Sequence, residues 1–144
     1  MPKPVAPLRL LAQAPADLAV ISAALQDAVA TIGDIAWDAA GRRLTIGFNR
    51  YRWEAKGRSG ERVRSGLQLA SVLKVQARKL RRDAKGAVVS LLSIAFEPGE
   101  APGGVVILTF AGGGDLRCEV ECVDAALADV SSPWPTQNRP SHAD

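Results

Sequence analysis

From Ile35 onward the chain is written in short apolar segments that alternate with period two and are cut by turn residues. That pattern constrains the fold more than any other feature, because a period of two puts one face of a strand on a core. Ile35-Ala36-Trp37 and Arg43 to Trp53 read as a hairpin around Asp38-Ala39-Ala40-Gly41. In its second arm Leu44, Ile46 and Phe48 share a face, and the apolar phase then moves by one residue to Tyr51 and Trp53. Such a phase change predicts a β-bulge near Asn49-Arg50. Leu67 to Arg78 alternates throughout and predicts one long strand, followed by a charged turn from Lys79 to Gly86. Val88 to Phe96 is an apolar run suited to a covered strand, and Glu97 to Gly104 is a loop rich in Gly and Pro. Val105 to Phe110 and Leu116 to Cys122 form a second hairpin across Ala111 to Asp115.

The N-terminal third adds a helix. Leu8 to Ala12 reads as a first short strand, and Pro15 suits the opening turn of a helix. Asp17 is placed to interact with the positive end of the helix dipole. Leu18, Ile21, Leu25, Ala28 and Val29 recur at helical spacing until Thr31-Ile32-Gly33 stops the run, and Val123 to Val130 predicts a short closing helix. The expected class is α+β: a mostly antiparallel sheet of about six to seven strands, strongly curved or barrel-like, packed by one main N-terminal helix and a short C-terminal helix. One domain over residues 8–130 is expected, with 1–7 and 131–144 as tails and Trp134 pinning the second tail to the domain.

The totals fit this reading. With 47% apolar and 23% charged residues among 144, general disorder is excluded. No apolar run approaches the roughly 18–20 residues that cross a bilayer, and the N-terminal stretch is too short and interrupted for a signal-peptide core. A cytoplasmic setting without a membrane partner is expected. Cys118 and Cys122 lie four residues apart on a strand, about 13 Å, beyond the roughly 7 Å reach of a disulfide. Free buried thiols are the expectation. The single histidine, His142, lies within the last three residues, so neither a metal site nor a His-based catalytic set is expected, and no cofactor is. Gly112-Gly113-Gly114 precedes a strand, not a helix, which makes it a hairpin turn and not a phosphate loop.

At this point several stretches carry a resemblance. Asp17 to Ser22, Leu25 to Val29, Asn49-Arg50-Tyr51-Arg52-Trp53-Glu54, Leu91 to Gly99, Phe110 to Gly114 and Val120-Glu121-Cys122 resemble, in order, a bacterial family catalogued as domain of unknown function 2948. The resemblance runs from about Leu8 to Trp134. It implies a full-length single domain and a bacterial cytoplasmic setting, and it brings no activity, cofactor or catalytic residue with it.

Charge supplies the functional clue. Fourteen of the eighteen Lys and Arg residues lie between Arg42 and Lys85, opposed there only by Glu54, Glu61 and Asp83, so this window carries +11 and the remainder −8. Arg50, Arg52, Arg64, Lys74 and Arg78, with Arg81, Arg82 and Lys85 beyond them, are expected to cluster on one sheet face. Such a face binds phosphates or carboxylates through bidentate arginines and counterion release. Asn49, Arg50, Arg52 and Glu54 form the densest polar group. The candidate binding residues are therefore Asn49, Arg50, Arg52, Glu54, Arg64, Lys74, Arg78, Arg81 and Arg82, with none catalytic. The expected function is a non-enzymatic binding or assembly module for an anionic partner, acting alone or as a homodimer. An acidic protein surface and a nucleic acid are both open as that partner. A small enzyme working through Glu and Arg is the remaining alternative.

Overall fold

A computed structural model describes residues 7–54 and 60–136. Most of the expected N-terminal tail, the Lys56–Ser59 part of the basic loop, and His142 lie outside them. Strand β1 spans Arg9–Ala12 and leads through a 3-10 turn, Pro15–Asp17, into helix α1, Leu18–Ala24. Asp17 turns back to accept the N–H groups of Gln13 (3.1 Å) and Ala14 (3.2 Å), which fixes the entry to the helix. Leu18 and Ile21 are the buried face of α1.

The helix is shorter than the apolar spacing predicts. Leu25 and Ala28 are buried beyond its end, but Asp27 has φ of 63°, a left-handed residue that an α-helix cannot continue through. Val29–Thr31 is strand β2, not helix. A second 3-10 turn, Ile32–Asp34, joins it to β3, Ile35–Asp38, and the predicted hairpin follows with β4, Arg43–Tyr51. Next come β5 (Glu61–Leu69), β6 (Val72–Arg78), β7 (Val88–Pro98), β8 (Gly104–Phe110) and β9 (Asp115–Val120). Finally there are β10 (Ala125–Asp129) and a two-residue β11, Trp134–Pro135, paired to Arg62 and Glu61 of β5.

The main path of the sheet is β1-β10-β5-β4-β2-β7-β8-β9-β6, with every pair antiparallel. It curls until β6 returns to the β3–β4 turn, where the Val72 N–H donates to the Arg42 carbonyl at 2.9 Å. The space inside is filled from both halves. Leu44, Ile46, Phe48, Leu67, Leu69 and Leu127 meet Leu91, Val106, Leu108, Phe110, Leu116 and Cys118, and α1 adds Leu18 and Ile21.

Four expectations are corrected. The fold is a mostly antiparallel sheet with one short helix, not a helix-packed α+β domain. The predicted C-terminal helix is strand β10, whose residues alternate buried and half-buried between β1 and β5. Its Ala-Ala-Leu-Ala run is compatible with either period over so few residues, and pairing on both edges decided it. The long strand from Leu67 is two strands. Ser71 adopts φ of 57°, the chain turns a corner there, and the inward phase passes from Leu67 and Leu69 to Val72. The bulge at Asn49-Arg50 is absent, since β4 and β5 stay in register from Leu44↔Leu69 to Tyr51↔Arg62. The alternation of Leu44, Ile46 and Phe48 runs on unbroken into Arg50, an arginine in the next core position.

Candidate binding site

The basic window is folded against carboxylates, many of them from the acidic remainder of the chain. Arg42 pairs with Glu121 at 2.5 Å, Arg52 with Glu61 at 2.6 Å, Arg64 with Asp34 at 2.8 Å and Arg78 with Asp115 at 2.6 Å. Arg78 pulls the Asp115 carboxyl below its ordinary range chiefly by this hydrogen bond. On the outer side of the β4–β5 pair, Arg64 also donates to the Asn49 side chain at 3.2 Å, and Arg62 donates to the Asn49 carbonyl at 3.1 Å. Arg64 lies across Gly47, where a Cβ would fall 2.3 Å from its Nη2, so the glycine is what lets the guanidinium reach Asp34.

Arg50 is the extreme case. Its side chain is fully buried and spans two carboxylates. Nε and Nη2 donate to the two oxygens of Asp129, both at 2.9 Å, while Nη1 and Nη2 donate to Glu54 at 2.8 and 2.6 Å. Ser65 donates to Asp129 at 2.6 Å and the Leu8 N–H does so at 2.8 Å. Burial alone raises the Asp129 pKa. Hydrogen bonds from Arg50, Ser65 and Leu8 outweigh it and hold the group below its ordinary value. For Glu54 the Arg50 hydrogen bond is the largest effect, and its pKa is lowered too. This network ties β4, β5, β10 and the chain before β1 together, and Arg50 has no donor left to offer a ligand. Beside it Tyr51 is buried, its ring 4.7 Å from that of Trp53 between centroids, and its hydroxyl accepts the Gly60 N–H at 2.9 Å.

The one basic face expected from the sequence is not formed. Arg50 points inward, Arg52 lies at the β5 start beside Glu61, and Arg64 stands on the outside of β5. Lys74 and Arg78 belong to β6 at the far end of the sheet path. Asn49 and Arg64 do meet, as do Arg50, Arg52 and Glu54, but each group is consumed internally.

What remains is at the other end of the window. A groove of about 240 Å³ opens between β3 and β6, lined by Ile35, Trp37, Val75, Ala77, Leu80 and Leu116, with Arg82 and Lys85 as its two charged wall residues. Both cations, like Arg81 beside them, lack an acidic partner among the described residues. Asp83 is the only acid in this turn. The turn is held by the Gly33 N–H donating to the Lys85 carbonyl at 2.8 Å and the Ile32 N–H to the Ala87 carbonyl at 2.9 Å. Of this site the sequence singles out Arg81, Arg82 and Lys85 as cations of the basic window. It gives no signal for Ile35, Trp37, Val75 and Leu116, which read as ordinary core positions on separate strands.

Among the described residues the remaining acids and thiols show no converging set. Glu97 pairs with Arg117 at 3.3 Å, and Glu119 is exposed on β9. Cys118 and Cys122 are free thiols, the former pushed up to about 12 by burial. Among the described residues no group of three His, Cys, Asp or Glu side chains could hold a metal, and no helix is long and apolar enough to cross a membrane. A family model described as "Protein of unknown function (DUF2948)" matches residues 8–142, nearly the whole chain and the family that the sequence resembles. No curated protein and no solved structure matches.

Proposed function

The chain belongs to that family of unknown function (DUF2948), and from the geometry we propose that it is a non-enzymatic binding module, engaging a partner that offers an apolar group beside an anionic one. The observation that carries this reading is the company Arg82 and Lys85 keep. Elsewhere in the basic window Arg42, Arg50, Arg52, Arg64 and Arg78 are neutralised by carboxylates. These two are not, and of the cations without an acidic partner among the described residues they are the ones that border this concave apolar surface. Apolar walls with a few placed polar groups are the usual make-up of a ligand site. A nucleic acid is less well served. The cations are dispersed, and Tyr51 is buried away from any stacking base.

A titration of the isotopically labelled protein with 4-phenylbutyrate and with its neutral amide tests the reading. The carboxylate should shift the amides of Ile35, Trp37, Val75 and Leu116 saturably, and Arg82→Gln with Lys85→Gln should weaken it. Equal binding of acid and amide, or no saturable shift at millimolar ligand, would refute it.

A further inference from the structure

We infer that the occupant of this groove is an extended acidic peptide segment of another protein, added as a strand between β3 and β6. The inference rests on the reading of the groove above and specifies its ligand. Its basis is the backbone. Strand β3 pairs only with β4, and β6 only with β9, so each has an edge without a strand partner among the described residues. The two edges border the same groove, β3 contributing Ile35 and Trp37 and β6 contributing Val75 and Ala77.

Two hydrogen bonds pin the ends of this opening. The Val72 N–H reaches the Arg42 carbonyl beside the closing pair of the β3–β4 hairpin, and the Gly33 N–H reaches the Lys85 carbonyl just before β3. The start of β6 is therefore near the end of β3, and the turn that follows β6 is near the start of β3, so the two strands run in opposite directions. Between the pins no backbone hydrogen bond joins them among the described residues. Unpaired N–H and C=O groups along a strand are a template for another chain, and extended peptides are commonly bound by such addition.

Size and charge select the kind of peptide. A volume of about 240 Å³ falls below the roughly 300–1,000 Å³ of sites that enclose drug-sized ligands. It suits one apolar side chain whose backbone continues along the edge. Arg81, Arg82 and Lys85 stand at one end of the opening, and Lys74 projects from the exposed side of β6. A basic segment is repelled there, and one with Asp or Glu flanking its apolar anchor is attracted.

The test compares three probes on the full chain: acetyl-Glu-Thr-Ile-Thr-Glu-amide, the same peptide N-methylated at both threonines, and the version with Lys in place of both Glu. The first should bind saturably, shift amides in 72–78 and 35–38, and slow their hydrogen exchange. N-methylation should weaken binding by about tenfold, the cost of losing two net hydrogen bonds, and the Lys peptide should not bind. Arg82→Glu with Lys85→Glu, both in an exposed turn, should abolish binding of the first peptide. Equal affinity for the N-methylated peptide overturns the added strand. Binding of 4-phenylbutyrate without any peptide overturns the peptide and leaves the groove as a small-molecule site. If neither binds, the groove reading falls as well.

Discussion

Replacing Arg50 with Met should be among the most damaging single changes in this protein. The substitution keeps a flexible apolar stem in the inward position of β4 and removes only the guanidinium. Asp129, with its side chain 4% exposed, is then left charged with hydrogen bonds from Ser65 and Leu8 alone. Removing one partner of a buried ion pair typically costs about 3–5 kcal/mol, because the other charge stays desolvated. Glu54 adds little, since at 41% exposure it can rehydrate. The two retained hydrogen bonds on Asp129 place the expected loss near the lower end, about 3 kcal/mol. Against a total stability of roughly 5–15 kcal/mol that is large, and it corresponds to a fall in Tm of about 10 °C for a chain of this size. Urea unfolding followed by tryptophan fluorescence measures it, with the slope m unchanged. Adding Asp129→Asn should recover part of the loss, since the orphaned charge is then gone, giving a coupling of about 1–3 kcal/mol in the double-mutant cycle. A loss below about 1 kcal/mol for Arg50→Met, or a double mutant that is simply additive, would refute the claim that this network holds β4, β5 and β10 together.

The same network sets the acid limb of stability. Asp129 and Glu54 both have folded pKa values below their ordinary 3.8 and 4.5, so the unfolded chain takes up protons first as the pH drops. Their contribution is complete above those ordinary values and is lost as the pH falls through the depressed folded ones; urea midpoints measured from pH 6 downward should show this, and Arg50→Met should flatten the limb. At the corner between β5 and β6, Ser71→Val should destabilise by about 1–2 kcal/mol and Ser71→Gly should not, because only the β-branched residue resists φ of 57°. At Gly114 a Cβ would lie 2.6 Å from Leu80 Cδ2 and 2.9 Å from the Lys79 carbonyl. Gly114→Ala should therefore cost about 1–3 kcal/mol and move the Leu80 resonances of the groove. A thiol reagent at pH 8 should label Cys122 in the folded protein and reach Cys118 only on unfolding, since burial keeps the Cys118 thiol protonated.

Several of these features are legible in the amino-acid sequence alone. The β3–β4 and β8–β9 hairpins follow from alternation bounded by turn residues, and Gly112 and Gly113 take the positive φ values, 92° and 98°, that such a turn requires. Arg50 is legible there only as a candidate binding residue. Its burial depends on Asp129, 79 residues later, and on Ser65, and nothing in local spacing announces that partnership. The missing bulge has the same origin. An arginine in a core position looks like a change of phase when the residue type is read without its partner.

By itself the sequence determined the local periods: which segments alternate, where they turn, and that cations crowd the middle of the chain while acids crowd the rest. Those are properties of neighbours in the chain, fixed by φ, ψ and side-chain pitch. Only the tertiary structure decided that Ala125–Asp129 is a strand, because pairing with β1 and β5 outweighs a weak helical propensity. Only it decided which charges remain free. Coulomb attraction acts through space, so folding brought Asp34, Asp115, Glu121 and Asp129 onto the arginines and left Arg82 and Lys85 uncancelled beside an apolar opening.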